Sequence, residues 1–131
     1  MGQPHKQTLE REIKLRVTRD FTLPQLSGER LPSRLFTSTY FDTEGYRLAR
    51  VGITLRYRIE ARKGDWQLKL PHGAARLELA FTGGRTSPPD SLTRLLFAHL
   101  RGLPLKPIAR LRTRRTGMQV RGGDGPVADV V

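Results

Sequence analysis

Between Ile53 and Phe81 the chain alternates apolar and charged residues through three successive runs, and this period of two constrains the fold most. Ile53, Leu55, Tyr57 and Ile59 alternate with Thr54, Arg56, Arg58 and Glu60; Trp66, Leu68 and Leu70 alternate with Gln67 and Lys69; Leu77, Leu79 and Phe81 alternate with Arg76, Glu78 and Ala80. Successive side chains of a strand point to opposite faces, so each run reads as a strand with one apolar and one charged face. Gly64-Asp65 and Pro71-His72-Gly73 supply the breaks. Three strands joined this way form an antiparallel meander.

The flanking segments extend the pattern. Residues 8–18 read as a first strand, with Glu10, Glu12 and Lys14 on one face and Leu9, Ile13, Leu15 and Val17 on the other. Asp20 to Arg30 reads as a short helix or loop, Ser33 to Asp42 as a second strand, and Glu44 to Val51 as a helical turn closed by Gly52. Asp90 or Ser91 can cap a helix to about Arg101, with Leu92, Leu95, Leu96 and Leu100 as its apolar stripe and Gly102 as its stop. This helix covers the apolar face of the sheet. A further strand spans Ile108 to Val120, the turn Gly122-Gly123-Asp124-Gly125 follows, and another strand begins at Pro126. The fold class expected is α+β: an antiparallel sheet or barrel with a charged inner face and short helices packed outside.

Composition narrows the partners. Lysine and arginine number 24 against 12 acids in 131 residues, a formal charge of +12 that favours nucleic acid, acidic lipid or phosphorylated small molecules. A nucleic-acid surface interleaves stacking aromatics with cations on one face, whereas here they fall on opposite faces, so nucleic acid is disfavoured. Without cysteine, disulfides and thiolate metal sites are excluded. No apolar run approaches the ~20 residues of a membrane span, and Met1 to Gln7 lacks a signal-peptide core. The expected location is cytoplasmic. His5, His72 and His99 show no metal-ligand spacing. Tyr40, Tyr57 and Trp66 read as packing residues, and Asp42 as a cap for the turn after its strand.

Charges on one face of a sheet can simply be solvated. The Glu-x-Glu-x-Lys run beside Arg-x-Arg points instead to an inverted sheet, with apolar faces packed outward and charged faces converging on a cavity. Carboxylates about 7 Å apart along a strand can share a divalent cation. Cations crowded in such a cavity repel each other, and a triphosphate with its metal supplies the missing negative charge.

Five stretches, in order, resemble the CYTH domain, or triphosphate tunnel metalloenzyme, family: Glu10-x-Glu12-x-Lys14, Tyr40-Phe41-Asp42-Thr43, Leu48 to Arg58, Leu68-Lys69-Leu70-Pro71, and Arg76-x-Glu78. The style is similar to bacterial proteins in which this domain precedes a helical, histidine-rich CHAD domain. The resemblance implies a tunnel of eight antiparallel strands that binds a triphosphate. Family activities include hydrolysis of inorganic or thiamine triphosphate, removal of an RNA 5′ γ-phosphate, and cyclisation of ATP. By resemblance, Glu10 and Glu12 are the metal and catalytic carboxylates, holding Mg²⁺ or Mn²⁺. Lys14, Arg56, Arg58, Lys69 and Arg115 bind the triphosphate. Arg76, Glu78 and Arg112 line the tunnel, with Arg112 the alternative to Arg115. Around these arginines the sequence pattern changes phase, as at a bulge. The partner implied is inorganic triphosphate, polyphosphate, or a nucleoside or thiamine triphosphate.

The resemblance also implies that residues 1–131 form a partial domain lacking its C-terminal strands, with catalysis impaired in the chain alone and open sheet edges available for homo-oligomers. Two other functions stay open: a catalytically silent polyphosphate- or nucleotide-binding module, and a relative of class IV adenylate cyclases.

Overall fold

The computed structural model describes residues 2–131. Seven strands form one curled antiparallel sheet. In chain order they are β1 (Lys6–Glu10), β2 (Gly28–Asp42), β3 (Thr54–Glu60), β4 (Lys63–His72), β5 (Ala75–Phe81), β6 (Lys106–Gly122) and β7 (Gly125–Val130). Across the sheet the order is β1-β5-β4-β3-β2-β6-β7, so the meander β3-β4-β5 is its centre and β1 and β7 are its edges. Two short helices, α1 (Asp90–Leu95) and α2 (Phe97–Leu100), follow the meander, and a single 3₁₀ turn, Ala49–Val51, precedes it.

The apolar runs of the meander meet those helices. Ile53, Leu55, Trp66, Leu68, Leu79 and Phe81 are buried with Leu92, Leu96 and Leu100 in one cluster, joined by Leu48 from the 3₁₀ turn. The rings of Phe41 and Tyr57 lie 4.9 and 5.2 Å from that of Trp66. The indole N–H of Trp66 donates to the Gly84 carbonyl at 2.8 Å, so this buried ring keeps its polar atom paired.

Asp42 fixes the entry to the meander. It is 1% exposed. Its Oδ1 accepts from the backbone N–H groups of Thr43 (2.7 Å) and Leu48 (3.0 Å), and its Oδ2 from that of Ala49 (3.0 Å). The carboxylate thus caps the 3₁₀ turn, which Gly52 closes at φ +75°.

Several elements depart from the sequence reading. β1 stops at Glu10 instead of running to residue 18. Its only partner among the described residues, β5, begins at Ala75, and Glu10↔Arg76 is the last pair of that ladder. Past it the chain has no ladder partner among the described residues, and Ile13 and Leu15 are 84% and 81% exposed. Asp20 to Ser27 takes the loop alternative, but β2 starts at Gly28, ahead of Ser33. The β3–β4 hairpin turns at Ala61-Arg62, both at positive φ (50° and 64°), and Gly64-Asp65 lies within β4. Gly64 is needed there for room: a Cβ would strike the Tyr57 ring that packs beside Trp66. The expected single helix is broken at Leu96, and α1 starts after Pro89 without a side-chain cap from Asp90 or Ser91.

Candidate functional site

The opposite face of the meander gathers the charges. Antiparallel pairing places directly opposed residues on one side of a sheet. The ladders oppose Glu10 to Arg76, Glu78 to Lys69, Gln67 to Arg56, and Arg56 to Tyr40. One step along, they oppose Asp65 to Arg58 and Arg58 to Ser38. Four strands thereby bring Glu10, Glu78, Lys69, Arg56 and Arg58 onto one face, although they are scattered over half the chain.

Glu10, Lys69, Glu78, Arg56 and Gln67 are joined in one network, and Arg58 stands beside it. Lys69 Nζ lies 2.7 Å from Glu10 Oε2 and 3.3 Å from Glu78 Oε2. Arg56 Nη2 lies 3.7 Å from the same Glu78 oxygen, and Arg56 Nε donates to Gln67 Oε1 at 2.7 Å. Arg58 Nε donates to the buried Ser38 Oγ at 3.0 Å. Arg76 sits at the rim, donating to the Gly52 carbonyl at 2.7 Å.

Beside this network lies Phe36, buried on the charged face. Its cover is cationic: the guanidinium carbons of Arg58, Arg115 and Arg34 stand 3.9, 5.3 and 5.7 Å from the ring centroid. Facing π-clouds attract such cations. Arg34 is also clamped by Glu60 through two hydrogen bonds of 2.8 and 2.6 Å. Phe36, Arg34, Ser38 and Gln67 were not singled out by sequence reasoning. Their signal was the phase of β2, where Arg34, Phe36, Ser38 and Tyr40 alternate with Leu35, Thr37, Thr39 and Phe41. Tyr40 accordingly lies on the charged face, not in the core with Tyr57 and Trp66.

Crowding shows in the protonation energetics. Burial lowers the Arg58 pKa from its ordinary value to about 10, aided by the charges of Arg56 and Arg115 and partly opposed by Tyr40 and Glu78. The group stays charged near neutrality, but at a cost that an incoming anion relieves. For Glu10, burial works to raise the pKa. The hydrogen bond from Lys69 and the charges of Lys69 and Arg56 outweigh it, and the carboxyl titrates below its ordinary range.

The arginines of β6 divide by parity. Arg115 pairs with Arg34, Thr113 with Phe36 and Leu111 with Ser38, which places Arg115 on the charged face. Arg110, Arg112 and Arg114 pair with Thr39, Thr37 and Leu35 on the other side. No phase change is needed along the arginine run. The register shifts lie to either side of it, between Leu31 and Arg34 and between Tyr40 and Phe41. Glu12 and Lys14 lie beyond the end of β1, 3.6 Å from each other, and Lys14 is 87% exposed. The structure does not bring them to the network.

A half-open cleft of about 720 Å³ adjoins the network at the β3–β4 hairpin end, lined among others by His5, Arg34, Arg58, Lys63, Asp65 and Gln67. It does not lie over Lys69. The ion pairs therefore define the centre of the site better than the cleft does, and the cleft is its extension.

Among the described residues no group of three or more His, Cys, Asp or Glu is gathered as a metal cage. Two carboxylates, Glu10 and Glu78, do meet at Lys69. Glu78 Oε2 is buried and makes no well-directed hydrogen bond. A cation of the Mg²⁺ type takes one or two carboxylates and completes its shell with water and phosphate oxygens, so this donor set fits one. Among the described residues no helix is long and apolar enough to cross a membrane.

Comparison with known proteins agrees with this geometry. The family model described as the CYTH domain matches residues 8–130. Uncharacterized proteins from two strains of Mycobacterium tuberculosis are each 31% identical over 127 residues, covering 89% of this chain and 25% of their own length. The chain thus spans about a quarter of the curated relatives it matches. The crystal structure of a Bacillus halodurans protein described as "a putative adenylate cyclase" superposes with a TM-score of 0.55 at 23% identity, over 72% of this chain and 55% of that one. This likeness is one of fold.

Proposed function

The chain belongs to the CYTH domain family, and from that premise we propose that its charged face binds a triphosphate group together with a divalent metal ion. The observation that carries the reading is the convergence of Arg56, Arg58 and Lys69 with Glu10 and Glu78 on one face of four strands. A solvated surface would not hold Lys69 at 16% exposure or cover a phenyl ring with guanidinium groups.

In this reading each residue acts through its own chemistry. Arg56 and Arg58 present planar forks to phosphate oxygens, and Lys69 contributes a mobile point charge. Arg115, across Phe36 from Arg58, extends the cationic wall. Glu10 and Glu78 hold the metal. Glu12 and Lys14 join them where β1 continues in strand geometry past Glu10, which requires a strand to pair with. Bound Mg²⁺ or Mn²⁺ supplies neutralisation of phosphoryl charge and a polarised water. The protein's cations stabilise the charge that builds on the transferred phosphoryl group, and terminal phosphate passes to water. The activity proposed is metal-dependent triphosphate hydrolysis in the cytoplasm.

A second reading, cyclisation of a nucleoside triphosphate, draws on the described name of the Bacillus halodurans neighbour. The cleft at the hairpin end offers room for an organic group beyond the phosphates. Calorimetric titration with inorganic triphosphate, with and without Mg²⁺, tests what the two readings share. Binding is expected in the wild type and lost in Arg56→Ala/Lys69→Ala. Binding of equal affinity in that double variant would overturn the proposal. Product analysis with inorganic triphosphate and ATP, scoring orthophosphate against a cyclic nucleotide, separates hydrolysis from cyclisation.

A further inference from the structure

Lys69 occupies an unusual position for a phosphate-binding lysine. Its Nζ is shared between the only two carboxylates of the network, at 2.7 Å from Glu10 and 3.3 Å from Glu78. Glu78 Oε2 faces two cations, Lys69 and Arg56, yet neither gives it a well-directed hydrogen bond. Its lone pairs are balanced by charge alone. The quartet Glu10, Glu78, Lys69 and Arg56 sums to zero, so the two cations that should meet a polyanion are already neutralised within the protein.

We infer that Lys69 Nζ stands in the place of a divalent cation between Glu10 and Glu78, so that metal and lysine compete for the same two carboxylates. This rests on the reading that the face binds triphosphate with a metal. The charge balance then has two settings. With Lys69 between the carboxylates, the face is internally neutral and holds a metal poorly. With a divalent cation there, the carboxylate pair is again balanced, and Lys69 and Arg56 are both released to the anion. The lysine stem makes the exchange possible. Lys69 is fixed opposite Glu78 in the ladder, but four rotatable carbons allow its ammonium to leave the carboxylates without moving the strand. Metal and triphosphate are therefore coupled through one side chain: each favours the lysine position that admits the other.

The test uses Mn²⁺ alone as the probe, with free Mn²⁺ followed by electron paramagnetic resonance. The wild type is expected to bind Mn²⁺ weakly. Lys69→Met, which keeps the stem and removes the charge, is expected to bind it about tenfold more tightly or better, since a like charge is gone from the site. Glu78→Gln placed on Lys69→Met should abolish that gain. If Lys69→Met folds poorly because two carboxylates are left unpaired, thermal unfolding reads the same competition: Mn²⁺ should raise its midpoint more than that of the wild type, and Lys69→Gln should behave alike. An unchanged or weakened Mn²⁺ affinity in both lysine variants overturns the inference. Triphosphate binding by the wild type is measured separately in the presence of Mg²⁺. Absence of that binding speaks against the proposed function, whereas a missing Mn²⁺ gain with triphosphate binding intact speaks against the lysine exchange alone.

Discussion

Replacing Asp42 with alanine takes away the acceptor of three backbone N–H groups at once. Two of those donors, on Thr43 and Leu48, belong to residues at most 1% exposed, and the third, on Ala49, is nearer solvent. An orphaned buried donor costs about 1–3 kcal/mol and a partly solvated one less, so Asp42→Ala should cost about 3–6 kcal/mol. Small domains hold only about 5–15 kcal/mol in total, which places the variant near the edge of folding. Asparagine separates the contributions. Its carbonyl oxygen can keep the bonds from Thr43 and Leu48, while its amide meets the Ala49 N–H donor to donor, for a loss of about 1–2 kcal/mol. Urea unfolding followed by circular dichroism gives both values. Equal midpoints for the two variants, or an alanine loss under about 1 kcal/mol, would refute the capping argument. The same series separates capping from metal binding: if Asp42 held a metal, Asp42→Asn would lose metal affinity while retaining stability.

Two further tests address other parts of the chain. Arg115→Ser should weaken triphosphate binding about tenfold or more, the loss expected for one charge-assisted contact, while Arg112→Ser leaves it unchanged, as calorimetry would report; equal effects would reverse the assignment of faces on β6. Ala61→Asn with Arg62→Gly puts residues suited to positive φ at the β3–β4 turn, and should raise unfolding stability by about 1–2 kcal/mol; a lower denaturation midpoint would show that the arginine side chain matters more than the backbone conformation.

The central meander was legible because a strand's two faces are written into alternate residues, and each of the three runs between Ile53 and Phe81 alternates cleanly. Which strands stand side by side is not written there, but the charged faces of three consecutive strands can only converge if those strands are neighbours. Glu10 belonged to the same set and its place on the face followed. Glu12 and Lys14 did not follow, because alternation sorts side chains only along a strand, and a strand persists only while another pairs with it. With β5 starting at Ala75, the partner runs out one residue past Glu10. The hairpin turn was misread at Gly64-Asp65 for a related reason. Glycine normally signals a turn, but here it makes room for Tyr57, and the turn falls on Ala61-Arg62, residues with no preference for positive φ. Phe36 escaped notice because a phenylalanine within a strand reads as core. Only the register of β2 reveals that it is buried beneath cations instead of beneath leucines.

That phenyl ring has an entropic consequence. A long arginine side chain on an open face samples many rotamers, and fixing each one on binding costs about 0.5–1.5 kcal/mol. Arg58, at 3.9 Å over the ring and tied to Ser38, has already given up most of that freedom in the folded chain, and Arg34 is tethered by Glu60. Stacking leaves the edge of a guanidinium, where its donors lie, directed away from the ring. Phe36 therefore acts on a ligand it need never touch: it moves the cost of ordering these side chains from the moment of encounter to the moment of folding.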